Sequence, residues 1–164
     1  RDSNLSDDYT GTNIVTADAI RYFQGEKINI EYVCCIYATA PFLNADSLKA
    51  GFELLKKNNK LFVFSATSFD YPIARAFAIN ANKEVKMFWP EKYDTRSQDL
   101  NEAFHDAGQF YWGKPEGFVE EKCMFEKHSS AFLIPRYLVQ DIDTFEDWQR
   151  AEMMYSALQM DKNI

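Results

Sequence analysis

Basic residues are in the minority: 18 Lys and Arg face 25 Asp and Glu, for a net charge of −7 and a pI near 4.9. The cationic footprint of a nucleic-acid-binding surface is therefore missing. Long apolar runs are missing too. The longest uncharged stretch, 32–45, holds 14 residues and includes Pro41, too short to span a bilayer. No signal-peptide pattern opens the chain. Cysteine is scarce and odd in number, with Cys34, Cys35 and Cys123, a poor disulfide framework that points to a reducing, cytoplasmic setting. Two histidines, His105 and His128, do not make a multi-histidine metal centre. Repeats, low-complexity tracts and linkers are absent, so residues 1–164 read as one domain.

What is present suffices for a core, with 46% hydrophobic and 26% charged residues. Ile14, Val15, Ala19, Tyr22 and Phe23 recur at helical spacing, with Thr10 or Thr12 as the cap. The run 32–37 reads as a buried strand that places Cys34 and Cys35 on opposite faces as small hydrophobes. Leu48, Phe52 and Leu55 mark a second helix, ending at Lys56, Lys57 and two asparagines. Residues 61–69, 73–79, 85–89, 108–112 and 130–134 read as strands, with short helices expected at 100–104 and 115–122. A short strand near 138–142 precedes a final helix that opens on a Thr144/Asp147 capping box and carries the stripe Trp148, Ala151, Tyr155 and Leu158. Helices alternating with apolar strands predict an α/β fold, its mainly parallel sheet covered on both faces.

The most chemical feature is VQDIDTFEDW at 139–148. On a strand, Asp141 and Asp143 would face the same way while Ile142 faces the core. The carboxyl end of a strand is where open α/β sheets bind ligands. Two neighbouring carboxylates repel unless a cation bridges them, and Mg²⁺ needs only one or two carboxylates plus substrate phosphates. The alternative is a solvated helix cap. A haloacid-dehalogenase-type phosphatase also uses Asp-x-Asp, but its domain lies downstream of the pair, and only 21 residues follow Asp143.

Other polar clusters accompany the pair. LSDDYTGT (5–12) sets hydroxyls at a helix start, suited to anions or to ordinary capping. ATAPFL (38–43) follows a strand and either borders a ligand or makes a tight turn. Arg96 and Gln98 lie in a polar loop, solvated or placed to hold a carboxylate. Arg75 falls inside an apolar run, where a charge needs a partner or a ligand. HDAGQFYWG (105–113) mixes an amide with aromatics, as sugar sites do and as cores do. Gln109, once buried, must be hydrogen-bonded.

In this order, LSDDYTGT, ATAPFL, SATSFDYPIARAF, RSQDL, HDAGQFYWG and QDIDTFEDW resemble the cytidylyltransferases that activate nine-carbon acidic sugars. The resemblance covers essentially the whole chain; DAGQFYW and RSQDL are its specific parts. It implies a Rossmann-like nucleotide-diphospho-sugar transferase fold. It also implies transfer of CMP from CTP to pseudaminic acid or a sialic-acid-like sugar, releasing pyrophosphate with Mg²⁺ as cofactor. Residue by residue it implies Asp141 and Asp143 as metal ligands, and Arg1, Thr10, Thr12, Thr39, Ala40 and Pro41 beside the nucleotide. Tyr37, Arg75, Arg96, Gln98, Gln109, Tyr111 and Phe125 would lie about the sugar. Tyr37 stands where sialic acid enzymes usually have Gln, which argues against N-acetylneuraminate. His105 replaces an Arg. The resemblance also implies a homodimer in which a segment at about 88–112 reaches across to the partner.

The family opens with a strand and a Gly/Ser/Lys/Arg-rich phosphate loop that nothing here matches. Gly11 is the only glycine before Gly25, and no Lys precedes Lys27. The expectation is a domain lacking its first strand, inactive as this chain alone. Its rivals are a non-catalytic interaction module and another Asp-x-Asp nucleotide-sugar enzyme, such as a glycosyltransferase.

Overall fold

The first helix forms where the periodicity places it, as α1 (Thr12–Gly25). The computed structural model describes residues 2–161, so Arg1, a nucleotide-side candidate, lies outside the described residues. The threonine cap is corrected. Gly11 is the N-cap and makes no side-chain bond. The Asp7 carboxylate instead accepts from the backbone N–H groups of Tyr9 and Thr10, and the turned-back Thr10 hydroxyl donates to the Asn4 carbonyl at 3.2 Å. The buried face is corrected as well: Ala17 and Ile20 point inward, while Ile14, Tyr22 and Phe23 are exposed. The core beneath α1 is already filled by Phe62, Tyr111, Phe118 and Met124, which leaves room for a small residue at the closest approach.

The next elements are β1 (Val33–Ile36), α2 (Ala45–Asn58) and β2 (Phe62–Ser68). In α2 the Asn44 side chain accepts from the Ser47 N–H at 2.8 Å, a cap worth about 1 kcal/mol. Its C-terminus carries Lys56 and Lys57 and closes on left-handed Asn59. The strand expected at 73–79 is instead a 3₁₀ turn, Ile73–Arg75, followed by β3 (Phe77–Ile79), which pairs with β4 (Val85–Met87) as a separate exposed hairpin. Pro72 cannot donate to a ladder, and a turn also satisfies the Arg75 N–H. No helix forms at 100–104, because Phe104 already opens β5 (Phe104–Gly113). The remaining elements are α3 (Pro115–Val119), β6 (Ser129–Leu133) and α4 (Phe145–Asp161). The strand expected near 138–142 is a 3₁₀ turn, Arg136–Leu138, and then irregular chain.

The main sheet is mixed, in the order β1-β5-β2-β6. β2 and β6 are parallel, and β5 runs antiparallel to both β1 and β2, so β1, β2 and β6 share one direction. Helices cover both faces. α1 packs on the side of Phe62 and Tyr111. On the other side, Gly51 of α2 lies so close to the Phe110 ring that a Cβ there would come within 2.7 Å of it, and the Trp112 indole donates to the Leu48 carbonyl at 3.0 Å. Within the expected dimer segment, 110–112 are flanked by β1 and 104–106 by β2 alone, with Phe104 and His105 exposed.

This topology puts the carboxyl ends of β1, β2 and β6 on one edge, together with the amino end of β5. There β5 bulges. Between the pairs Phe64–Tyr111 and Ala66–Asp106, β2 has only Ser65 while β5 has Ala107 to Phe110. The buried Ser65 hydroxyl fills the gap, accepting from the N–H groups of Gln109 at 3.1 Å and Phe110 at 3.2 Å.

Candidate functional site at the sheet edge

Asp141 sits on this edge, in the loop that follows β6. Its Oδ1 accepts from the Thr39 hydroxyl at 3.0 Å and from the Ile142 N–H at 3.0 Å. Its Oδ2 faces Gly108, where an added Cβ would lie 3.4 Å away. Gly108 has φ +63°, a left-handed conformation that glycine adopts without strain. The loop after β1 and the bulge of β5 thus hold the carboxylate from two sides.

Asp143 is exposed and does not share a strand with Asp141. Both belong to a turn organised by Asp147, whose carboxylate accepts from the N–H groups of Asp143 and Thr144, the Thr144 hydroxyl and the Gln140 amide. The Thr144 hydroxyl bond, then that of its backbone, holds the Asp147 carboxyl below its usual value. The expected capping box is therefore present, with Asp147 N–H donating to Thr144 Oγ1 at 3.2 Å.

Two clefts meet at His105 and Asp106. One, of about 680 Å³, brings Asp141 together with Arg75, Arg136, Arg150 and the loop Phe69–Ile73. Arg136 pairs with Asp70 at 2.8 Å, and Arg75 donates to the carbonyls of Tyr93 (2.8 Å) and Thr95 (2.6 Å). The other, of about 470 Å³, is walled by Phe64, Phe104 and Phe125. Phe125 is exposed and stacks edge-on to Phe64, ring centres 4.9 Å apart. Asp106, shared by both clefts, accepts from the Gly108 N–H at 3.0 Å and from the Tyr111 hydroxyl at 2.6 Å.

The structure thus gathers Asp141 and Arg75 at one cleft, with Thr39 bonded to Asp141 and Phe125 at the neighbouring cleft. Other candidates stand elsewhere. Tyr37 and Tyr111 stack at 4.9 Å, but Tyr111 is only 5% exposed and its hydroxyl is spent on Asp106. Burial and then that carboxylate push its phenol well above the usual range. Gln109 is 2% exposed, and its amide donates to the Leu138 carbonyl at 2.6 Å. Arg96 pairs on the surface with Asp99 at 2.7 Å, and Gln98 shares that outer loop. Thr10 and Thr12 stay with their own turn and helix. Ala40 closes a turn, accepting from the Leu43 N–H at 3.2 Å, and Pro41 borders a shallow groove with Ile142 and Trp148.

Sequence reasoning passed over Arg136, Arg150 and Asp106. Arg136 follows the third parallel strand, so the rule that singled out Asp141 would have found it. Asp106 was in view inside HDAGQFYWG. No sequence signal marks Arg150, which α4 carries to the cleft.

Comparison with known proteins supplies independent information. No family model matches the chain. The pseudaminic acid cytidylyltransferase of Campylobacter jejuni subsp. jejuni serotype O:2 is 48% identical over 157 residues, 96% of this chain and 68% of that protein. Its serotype O:23/36 counterpart is 47% identical over 157 residues, with the same shares. A Helicobacter pylori protein named pseudaminic acid cytidylyltransferase and UDP-2,4-diacetamido-2,4,6-trideoxy-beta-L-altropyranose hydrolase is 36% identical over 116 residues, 70% of this chain and 22% of that one. Among solved structures, CMP:2-keto-3-deoxy-manno-octonic acid synthetase complexed with CTP aligns with a TM-score of 0.56 at 8% identity. That alignment covers 92% of this chain and 70% of the other, and at such identity it speaks for the fold alone.

Proposed function

This chain belongs to the pseudaminic acid cytidylyltransferase family, and from that premise we propose that the sheet edge around Asp141 serves transfer of CMP from CTP to pseudaminic acid. The anomeric hydroxyl of the sugar attacks the α-phosphorus. A phosphorus–oxygen bond forms to the sugar, the bond to the β-phosphate oxygen breaks, and pyrophosphate leaves. The observation that carries this reading is the position of Asp141, gripped by Thr39 and backed by Gly108 where three parallel strands end.

The donor set fits Mg²⁺. Asp141 keeps Oδ2 unbonded and Asp143 presents an exposed carboxylate, while no group of three or more His, Cys, Asp or Glu forms among the described residues. Two carboxylates plus substrate phosphates suit that ion. Bound by Asp141 and Asp143, it would supply charge neutralisation on the triphosphate during attack. Thr39, Ala40 and Pro41 would border the nucleotide. Arg75, Arg136 and Arg150 line the Asp141 cleft together with Asp70 and Asp106; Arg136 is paired with Asp70, and Arg75 and Arg150 would meet an acidic sugar and its phosphate partner. Phe125 and Phe64 offer an apolar wall beside it.

The homodimer rests on resemblance and on the hairpin, where Phe77, Ile79, Val85 and Phe88 are each at least half exposed. A second copy covering them would carry Arg96 and Gln98 toward its partner's site, and sedimentation of the full-length protein tests this. Among the described residues no helix is long and apolar enough to cross a membrane. We assign a cytoplasmic setting from the three free cysteines.

The test is pyrophosphate release by the full-length protein carrying this chain, with CTP, Mg²⁺ and pseudaminic acid. Release that depends on the sugar supports the assignment. No turnover with pseudaminic, legionaminic or sialic acid overturns it.

A further inference from the structure

The geometry points to Gln109 as a positioning residue for Asp141: its buried amide holds the Leu138 carbonyl and so fixes the segment that carries the carboxylate. The resemblance assigns this side chain to the sugar. Its surroundings say otherwise.

Gln109 is 2% exposed and lines neither of the clefts that meet at His105 and Asp106. Its amide donates to Leu138 O at 2.6 Å, three residues before Asp141. Its backbone is fixed on both sides, the N–H by Ser65 Oγ at 3.1 Å and the carbonyl by the Tyr37 N–H at 3.0 Å. The donor therefore stands on a rigid base, and the segment it holds, Val139–Ile142, has no strand ladder of its own.

The neighbouring bulge residues act toward the same end. Asp106 accepts from the Gly108 N–H and sets the turn that brings left-handed Gly108 against Asp141 Oδ2. Downstream, the Gln140 amide donates to the Asp141 carbonyl at 2.7 Å and to Asp147 at 3.2 Å. Asp141 is thus held at its carbonyl by Gln140 and at its carboxylate by Thr39, while Gln109 anchors the chain three residues upstream at the Leu138 carbonyl. Outer contacts of this kind orient metal ligands without touching the metal. The inference rests on the reading of Asp141 as a cation ligand.

The test compares full-length wild type with Gln109→Met, which removes the donor and keeps the side-chain length. Three quantities are read: kcat, KM for pseudaminic acid, and affinity for Mn²⁺·CTP without sugar, from the electron paramagnetic resonance signal of free Mn²⁺. The expected result is a Mn²⁺·CTP dissociation constant raised about tenfold, the usual scale for loss of an outer contact, and a kcat that falls with it. KM for the sugar stays within about twofold. If Gln109→Met does not fold, Ser65→Ala loosens the same bulge without touching the amide and shifts Mn²⁺·CTP affinity in the same direction. A raised sugar KM with unchanged Mn²⁺·CTP affinity makes Gln109 a sugar ligand and overturns the inference alone, as does no change in any quantity. A wild type that binds no Mn²⁺·CTP overturns the metal reading of Asp141, and this inference with it.

Discussion

The Thr39 hydroxyl donates to the Asp141 carboxylate across 3.0 Å, joining two loops that lie 102 residues apart in the chain. One loop leaves β1 and the other leaves β6, so the bond crosses the whole working edge of the sheet. It also fills one lone pair of a carboxylate whose second oxygen stays open.

Thr39→Val keeps the shape and removes that donor. Loss of a hydrogen bond to a charged acceptor costs roughly 1.5 kcal/mol, so kcat/KM for CTP is expected to fall about tenfold, with Thr39→Ser close to wild type. Equal activity of the Val and Ser variants would show that the bond does not orient Asp141.

Gly108→Ala places a Cβ at φ +63° and 3.4 Å from Asp141 Oδ2. The left-handed conformation costs about 1 kcal/mol, read by urea denaturation. Activity is expected to fall further than stability explains, because relieving the backbone strain moves the bulge that backs the carboxylate, the methyl itself reaching only ordinary contact with it. A variant that loses stability alone separates the bulge from the site.

The sheet edge was legible in sequence to the extent that it depends on strand order and apolar runs. β2, β6, α2 and the capping box of α4 stand where periodicity and end signals put them. Other features depend on competition that a linear pattern does not record. Apolar residues at 14, 22 and 23 look like a core stripe, yet the aromatic rings under α1 select small Ala17. Arg75 looks like a charge stranded in a strand, but Pro72 breaks the ladder and the guanidinium closes the Tyr93–Thr95 loop. Gln109 matches a sugar-binding pattern, and only the bulge opposite Ser65 shows its amide turned inward. The reading of Asp141 and Asp143 as one face of a strand fails, since irregular chain and not a strand carries them.

Asp147 links the turn to pH. Its folded pKa lies below the ordinary aspartate value because Thr144 bonds the ionised form. The stabilisation is present above that value and is lost as pH falls through the lower folded pKa. Urea midpoints of wild type and Asp147→Ala should differ at pH 6 and converge well below pH 3.8. A difference that persists unchanged in acid would place the effect in packing instead.

The thiols should react unequally. Cys123 is exposed, whereas burial, and then the neighbouring Cys35, push the Cys34 thiol up to about 12. Alkylation at pH 8 is expected to label Cys123 first and Cys34 slowly, since the thiolate is the nucleophile. Cys123→Ser should remove the fast phase; a fast phase that survives in that variant and maps to Cys34 contradicts the burial of β1.

The account turns on Asp141, and its most direct test is Mg²⁺-dependent pyrophosphate release from CTP and pseudaminic acid by full-length wild type and Asp141→Asn. The wild type should turn over. The variant should lose about 100-fold or more in kcat, the scale set by removing one electrostatic contact to the reacting group, while its melting temperature stays near wild type. An Asp141→Asn enzyme that retains wild-type turnover across the Mg²⁺ titration would contradict the account.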